Sequence, residues 1–384
     1  MKLKDVATIK HGFPYKGEYF TDVPTKNILL TPTNFTLKGG FQYANRYYSN
    51  EGEMPEEFIL HKDDLIVTMT DLSKEIDTIG YGALIPDDPN HIFLHNQRIG
   101  LVTIFNPIVD KYYLYWLMRT KFYQRTIAGA SNGATVHHTS PDRILSFNWI
   151  FPSLDNQKKI ASILSAYDSQ IENNKKRIKL LEQMAENLYK EWFVRFRFPG
   201  YETAEFERGV PKGWIIEKLG NVANIRTGKC NREDAEEGGI FPLFDRSQEI
   251  KKSNTWLMDC EAIIVPGEGT SFTPRYYEGK FNLHQRCYCV EPRQKGTGKF
   301  LFYMLMFNKA YFLSVATGAT VPSLRQNNFT KMKFIMPSFD LCRQYDKHIT
   351  LFFTEIDTLS KQVETLTTQR DLLLPRLMSG KLSI

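Results

Sequence analysis

Along residues 157–192 the apolar positions recur at alternating spacings of four and three: Ile160, Leu164, Tyr167, Ile171, Asn174, Ile178, Leu181, Ala185, Leu188 and Trp192, with one polar member. A period of 3.5 sustained that long predicts a coiled-coil helix rather than a helix laid against a compact core. The same register returns as Tyr345, Ile349, Phe352, Ile356, Leu359, Val363, Leu366, Arg370, Leu373 and Leu377, each 185 positions after its counterpart. Such a seam spans roughly 50 Å at about 1.5 Å per residue. The two copies are expected to pair with each other. Each follows its own domain, so antiparallel packing is the simplest arrangement, and it would relate the two domains by a pseudo-two-fold axis. Matched seam positions are unequal, Asn174 against Leu359 and Ala185 against Arg370, which suits pairing within one chain; a polar seam residue fixes register at a cost in stability.

Outside the seams the periodicities are shorter. Residues 65–69 and 99–104 read as strands, 112–122 as an amphipathic helix, and 147–151 as a short strand that closes at Pro152. The central helix is expected to take Asp155 as its N-cap and to stop before Pro199-Gly200. A linker follows, and then the start of the chain is written again: Lys218 to Gly228 (KLGNVANIRTG) lines up with Lys2 to Gly12 (KLKDVATIKHG). Gln97-Arg98 matches Gln285-Arg286, Gly133-Ala134-Thr135-Val136 matches Gly318-Ala319-Thr320-Val321, and Pro152-Ser153-Leu154-Asp155 matches Pro337-Ser338-Phe339-Asp340. The chain is two tandem copies of domain plus helix. The expected fold is α+β: domains at 1–154 and, with the linker, 198–339, and helices at 155–197 and 340–384 forming an antiparallel intramolecular coiled coil. Between the anchors the copies diverge, and residues 71–96 have no evident counterpart in 267–284. A shared scaffold with dissimilar fillings suits a reader of two different half-sites.

Composition narrows the class. With 384 residues, 42% hydrophobic and 24% charged, the chain can bury the cores of two or three globular domains. It opens without the apolar stretch of a signal peptide and holds no long apolar run, so a cytoplasmic location and no membrane partner are expected. Five cysteines without a CxxC pair suit a reducing compartment and give no metal-ligand spacing. A net charge of +6 permits a polyanionic partner.

A search for chemistry gives little. No amino-methyltransferase signature and no GxGxxG loop occur, Gly296-Thr297-Gly298-Lys299 lacks the rest of a P-loop, and Glu278-Gly279-Lys280 lacks the acidic partner of a nuclease motif. His137-His138 stands without further metal ligands. Neither a catalytic residue nor a metal site is assigned, and an enzyme is disfavoured. Binding remains. Sequence readout needs donors and acceptors on loops that reach base edges. The candidates are Lys10, Lys16, Lys74, Arg98, Thr135, His137 and Arg143 in the first copy, and Arg226, Lys229, Arg246, Arg275, Tyr276, Arg286, Thr320, Arg325 and Gln326 in the second. A coiled-coil adaptor whose divergent lobes bind proteins is the alternative.

Several segments together resemble the specificity subunit of type I restriction-modification systems: Pro211-Lys212-Gly213-Trp214 leading into Lys218-Leu219-Gly220-Asn221-Val222, the Gly318-Ala319-Thr320-Val321-Pro322 loop, residues 188–196 (LYKEWFVRF) and 374–382 (LPRLMSGKL). The resemblance covers the whole chain. It departs at Asn156-Gln157 and Leu341-Cys342, where the family usually has Glu-Gln, and at His137, where the second copy has Pro322. It implies two target-recognition domains, each binding one half of a bipartite, asymmetric sequence in double-stranded DNA, with the helix pair setting the gap. It further implies a non-catalytic chain that binds no cofactor and docks two modification subunits. Those would bring S-adenosylmethionine and methylate adenine N6 after base flipping, and a motor and nuclease subunit would join for restriction.

Overall fold

The computed structural model describes residues 1–71, 78–129, 131, 137–382 and 384. It divides into two compact units, one of residues 1–173 with 362–384 and the other of residues 174–361. Each unit contains one copy of the repeated domain and one stretch of both long helices, Leu154–Tyr189 and Phe339–Met378.

In the first unit an antiparallel sheet runs in the order Ala7–His11, Ile99–Ile104, Leu65–Thr68, Gly82–Leu84. The strand Leu65–Thr68 is buried at every position, which explains its continuous apolar run. Side chains alternate across a sheet, so Leu65 and Val67 face the helices while Ile66 joins Ile28, Phe35 and Phe93 in a second core under a five-stranded mixed sheet. The second unit uses the same device. Its strand Met258–Pro266 sends Ile263 and Val265 toward the helices and Ala262 and Ile264 into a separate core with Phe244 and Phe281, within a six-stranded sheet.

Each unit holds its stretch of the helix pair antiparallel. In the first, Ile160, Ala161 and Leu164 pack with Leu374, Leu377 and Met378 against Tyr113, Leu114 and Trp116 of the helix Lys111–Leu117. Burying a side chain of that size contributes about 1.5–3 kcal/mol. Asp168 is gripped by Arg119 of the domain at 2.6 Å and by Arg370 of the C-terminal helix, and the side chains of both arginines are at least nine-tenths buried. The heptad break at Arg370 is therefore a buried ion pair that fixes register. In the second unit the contacts are aromatic: Tyr189, Trp192 and Phe193 meet Phe300, Tyr303 and Tyr345, with the Phe193 and Phe300 rings 4.8 Å apart. Asn174 and Leu359 are both fully buried. The Arg177–Glu355 pair sets the two at one level, three residues before the arginine and four after the glutamate.

Three local expectations are corrected. Ser153, not Asp155, caps the central helix: its hydroxyl accepts from Asn156 N, and its carbonyl from Gln157 N, while Asp155 lies in the first turn where a negative charge favours the helix. Residues 147–151 form no ladder beyond a single bridge from Asn148 to Lys2. The predicted helix 112–122 is two helices, Lys111–Leu117 and Lys121–Gly129, parted where Thr120 turns its hydroxyl back onto the Leu117 carbonyl.

Candidate nucleic-acid interface

The repeated segments converge on one backbone frame in each unit. A glycine at the end of the first sheet strand lets the chain approach the turn ahead of the paired Gln-Arg: a Cβ on Gly12 would overlap the carbonyl of His95, and one on Gly228 that of Leu283. In the first unit Phe13 N donates to His95 O and Gln97 N to Phe13 O; in the second, Lys229 N and Cys230 N donate to Leu283 O and Gln285 N to Cys230 O. The arginine carbonyls are used alike, Arg98 O accepting from Met69 N and Arg286 O from Gly267 N. The loop before each long helix then closes the frame, with Thr139 N donating to Met69 O and Leu324 N to Gly267 O. His138 opposes Thr70, and Ser323 opposes Glu268.

The fillings differ. In the second unit Glu268 receives Arg246 at 2.8 Å and Arg286 at 2.6 Å; its side chain is 15% exposed and theirs 48% and 53%, so a carboxylate lies beneath two outward guanidinium groups. Arg325 is near enough to act electrostatically on Tyr288, as Arg286 and Glu268 do. His284 is kept below its usual pKa by burial and by Arg246, so it adds no charge at neutral pH. Thr317 and Ser323 exchange both backbone hydrogen bonds and present residues 318–322, including exposed Thr320, as a closed loop. In the first unit Thr70 Oγ1 lies 3.1 Å from His138 Nδ1, and Asp71 accepts from Thr78 N, Thr78 Oγ1 and Ile79 N.

The frame brings together Arg246, Arg286, Thr320 and Arg325 in one unit and Arg98 and His137 in the other. Lys74 and Thr135 lie outside the described residues. Lys10 is exposed, paired with Glu57 and set over the Phe58 ring. Lys16 is exposed ahead of the turn Gly17–Tyr19, and Lys229 is exposed on its loop. Arg143 is half-buried on the short helix Pro141–Leu145, capped by Ser140. Arg226 pairs with Glu291 in a separate shallow pocket of about 380 Å³, which Gln326 also lines while its amide donates to Ile225 O. Arg275 donates to the carbonyls of Asp245 and Ser247, and Tyr276 donates to Glu261, whose carboxyl burial pushes up. The Nη donors of Arg275 and the Tyr276 hydroxyl are thus engaged within the unit. Sequence reading passed over Glu268 and Thr70, which lie where the two copies diverge in sequence.

Among the described residues no group of three or more His, Cys, Asp and Glu side chains is arranged to hold a metal ion, and no helix is long and apolar enough to cross a membrane.

A family model described as type I restriction modification DNA specificity domain matches residues 1–183 and again 211–368. The chain is similar to the type I restriction enzyme MjaIX specificity subunit of Methanocaldococcus jannaschii, 25% identical over 80% of this chain and 76% of that protein. It is 31% identical to the type I restriction enzyme EcoDI specificity subunit of Escherichia coli over 41% of this chain and 33% of that one. The crystal structure of the type I restriction-modification S subunit from M. genitalium superposes with a TM-score of 0.62 at 18% identity, covering 98% and 95% of the two chains.

Proposed function

The chain belongs to the type I restriction modification DNA specificity family, and from that membership we propose that it is the non-catalytic specificity subunit of a methyltransferase and endonuclease complex, in which each domain reads one half of a bipartite DNA target. The observation that carries this reading is the duplicated frame, one backbone arrangement that carries Arg98 and His138 with a buried Thr70 in one copy, and Arg286 with Glu268, joined there by Arg246, in the other. A common frame aims side chains at DNA from equivalent positions; different side chains read different bases.

The helix pair sets the gap between half-sites and docks two modification subunits. Support for docking comes from exposed apolar side chains on the helices, Leu180, Met184, Leu351 and Leu372. The modification subunits supply S-adenosylmethionine and methylate adenine N6; this chain contributes sequence choice, not chemistry. The exposed positive charge of the reading loops gives the complex a DNA affinity that falls steeply as salt rises.

The test is to map methylated adenines in DNA exposed to the reconstituted complex, with and without a heptad inserted after Asn174 and another after Leu359. Two turns of helix add roughly 10 Å, and the gap should lengthen by about three base pairs at 3.4 Å each. Both half-sites should stay as they were. A changed half-site, or a chain that methylates DNA without its partners, would sink this reading.

A further inference from the structure

We infer that Glu268 is a positioning residue that holds Arg246 and Arg286 against guanine edges in the half-site read by the second domain. The inference rests on the DNA-specificity reading above and names the chemistry of one of its two sites.

The geometry separates a base contact from a phosphate contact. A phosphate site gains from net positive charge, and a carboxylate at its centre works against it. A guanine edge offers two neutral acceptors, O6 and N7, and rewards a guanidinium held in one plane and direction. Glu268 gives up one charge to fix two arginines, which suits the second task. Its own position is set by main-chain bonds on both sides: Gly267 N to Arg286 O, Leu324 N to Gly267 O, and Gly269 N to Pro322 O. Gly269 sits at φ +124°, where a side chain would be strained, and a Cβ on Gly267 would crowd the Arg286 carbonyl and the Tyr288 ring. The carboxylate is therefore a fixed support, and the half-exposed guanidinium groups are the moving parts it restrains. The equivalent place in the first domain holds Thr70, a hydroxyl that meets His138, in place of a carboxylate. The first half-site is accordingly read by different means.

The experiment methylates a pool of DNA randomised across both half-sites, using this chain with its modification subunits, and counts each base among the modified molecules. The wild-type complex should require guanine at two positions of one half-site. Glu268→Gln should lower that preference about tenfold or more at those positions, leaving the other half-site and the unfolding midpoint unchanged. Arg246→Lys and Arg286→Lys should each relax one of the two positions, and these surface substitutions decide the matter if Glu268→Gln misfolds. Retained guanine preference in all three variants would overturn the inference. So would uniformly weaker methylation with a shallower salt dependence, the mark of phosphate contacts. A wild-type motif without guanine in either half would refute the inference alone, whereas a wild-type complex with no two-part motif would refute the specificity reading beneath it.

Discussion

Thr70 and Glu268 occupy the same place in two copies of one frame, and nearly everything around them that is shared is main chain. The shared bonds run from Met69 N to Arg98 O and from Thr139 N to Met69 O in one unit, and from Gly267 N to Arg286 O and Leu324 N to Gly267 O in the other. Main-chain acceptors are available to every residue, and donors to every residue except proline. A frame built from them leaves its side chains free to diverge. The glycines at 12 and 228 are the exception, because the close approach there admits no side chain.

The same contrast governs how each unit holds its stretch of the long helices. The first relies on a buried ion network, Arg119 and Arg370 on Asp168. The second relies on packed rings and on a simpler pair, Lys299 with Asp346 at 3.1 Å. Asp168→Ala would leave the buried Arg119 guanidinium without its carboxylate, while Arg370 keeps Asp371, and should cost about 3 kcal/mol in denaturant unfolding. Asp346→Ala strands one ammonium beside an aromatic cluster and should cost about 1.5 kcal/mol. Equal losses would break the contrast.

A smaller, pH-dependent difference sharpens it. Burial alone would raise the Asp245 carboxyl, but bonds from Lys251 and Ser247 hold it down at about 2. A carboxyl depressed in the folded state stabilises above its unfolded pKa of about 4. That contribution fades as pH falls from there toward 2. Asp245→Asn should therefore flatten the acid limb of unfolding followed by a probe in the second unit and leave a first-unit probe unmoved.

Much of this architecture was legible in sequence. The seam, its duplication and the tandem repeat follow from periodicity and a constant offset, which local chemistry imposes. Asn174 and Arg370 also stood out, as polar members of an apolar row; both are buried, and Arg370 is explained by Asp168. The partner itself was not legible, since Asp168 sits among ordinary surface charges and meets Arg119 and Arg370 only after folding, 49 and 202 positions away. Glu268 escaped for the same reason. Its arginines come from 22 and 18 positions away, across a stretch where the two copies cannot be aligned. Arg275 and Tyr276 show the converse, because residue type suggested outward readers while folding turned their donors onto Asp245, Ser247 and Glu261.

The central claim is that each domain reads its own half-site through its own filling of a common frame. Exchanging residues 1–154 for the equivalent domain of another family member, then mapping adenine methylation by the reconstituted complex, tests it most directly. One half-site should change while the other half-site and the gap stay fixed. A change in both half-sites, or in neither, would contradict it.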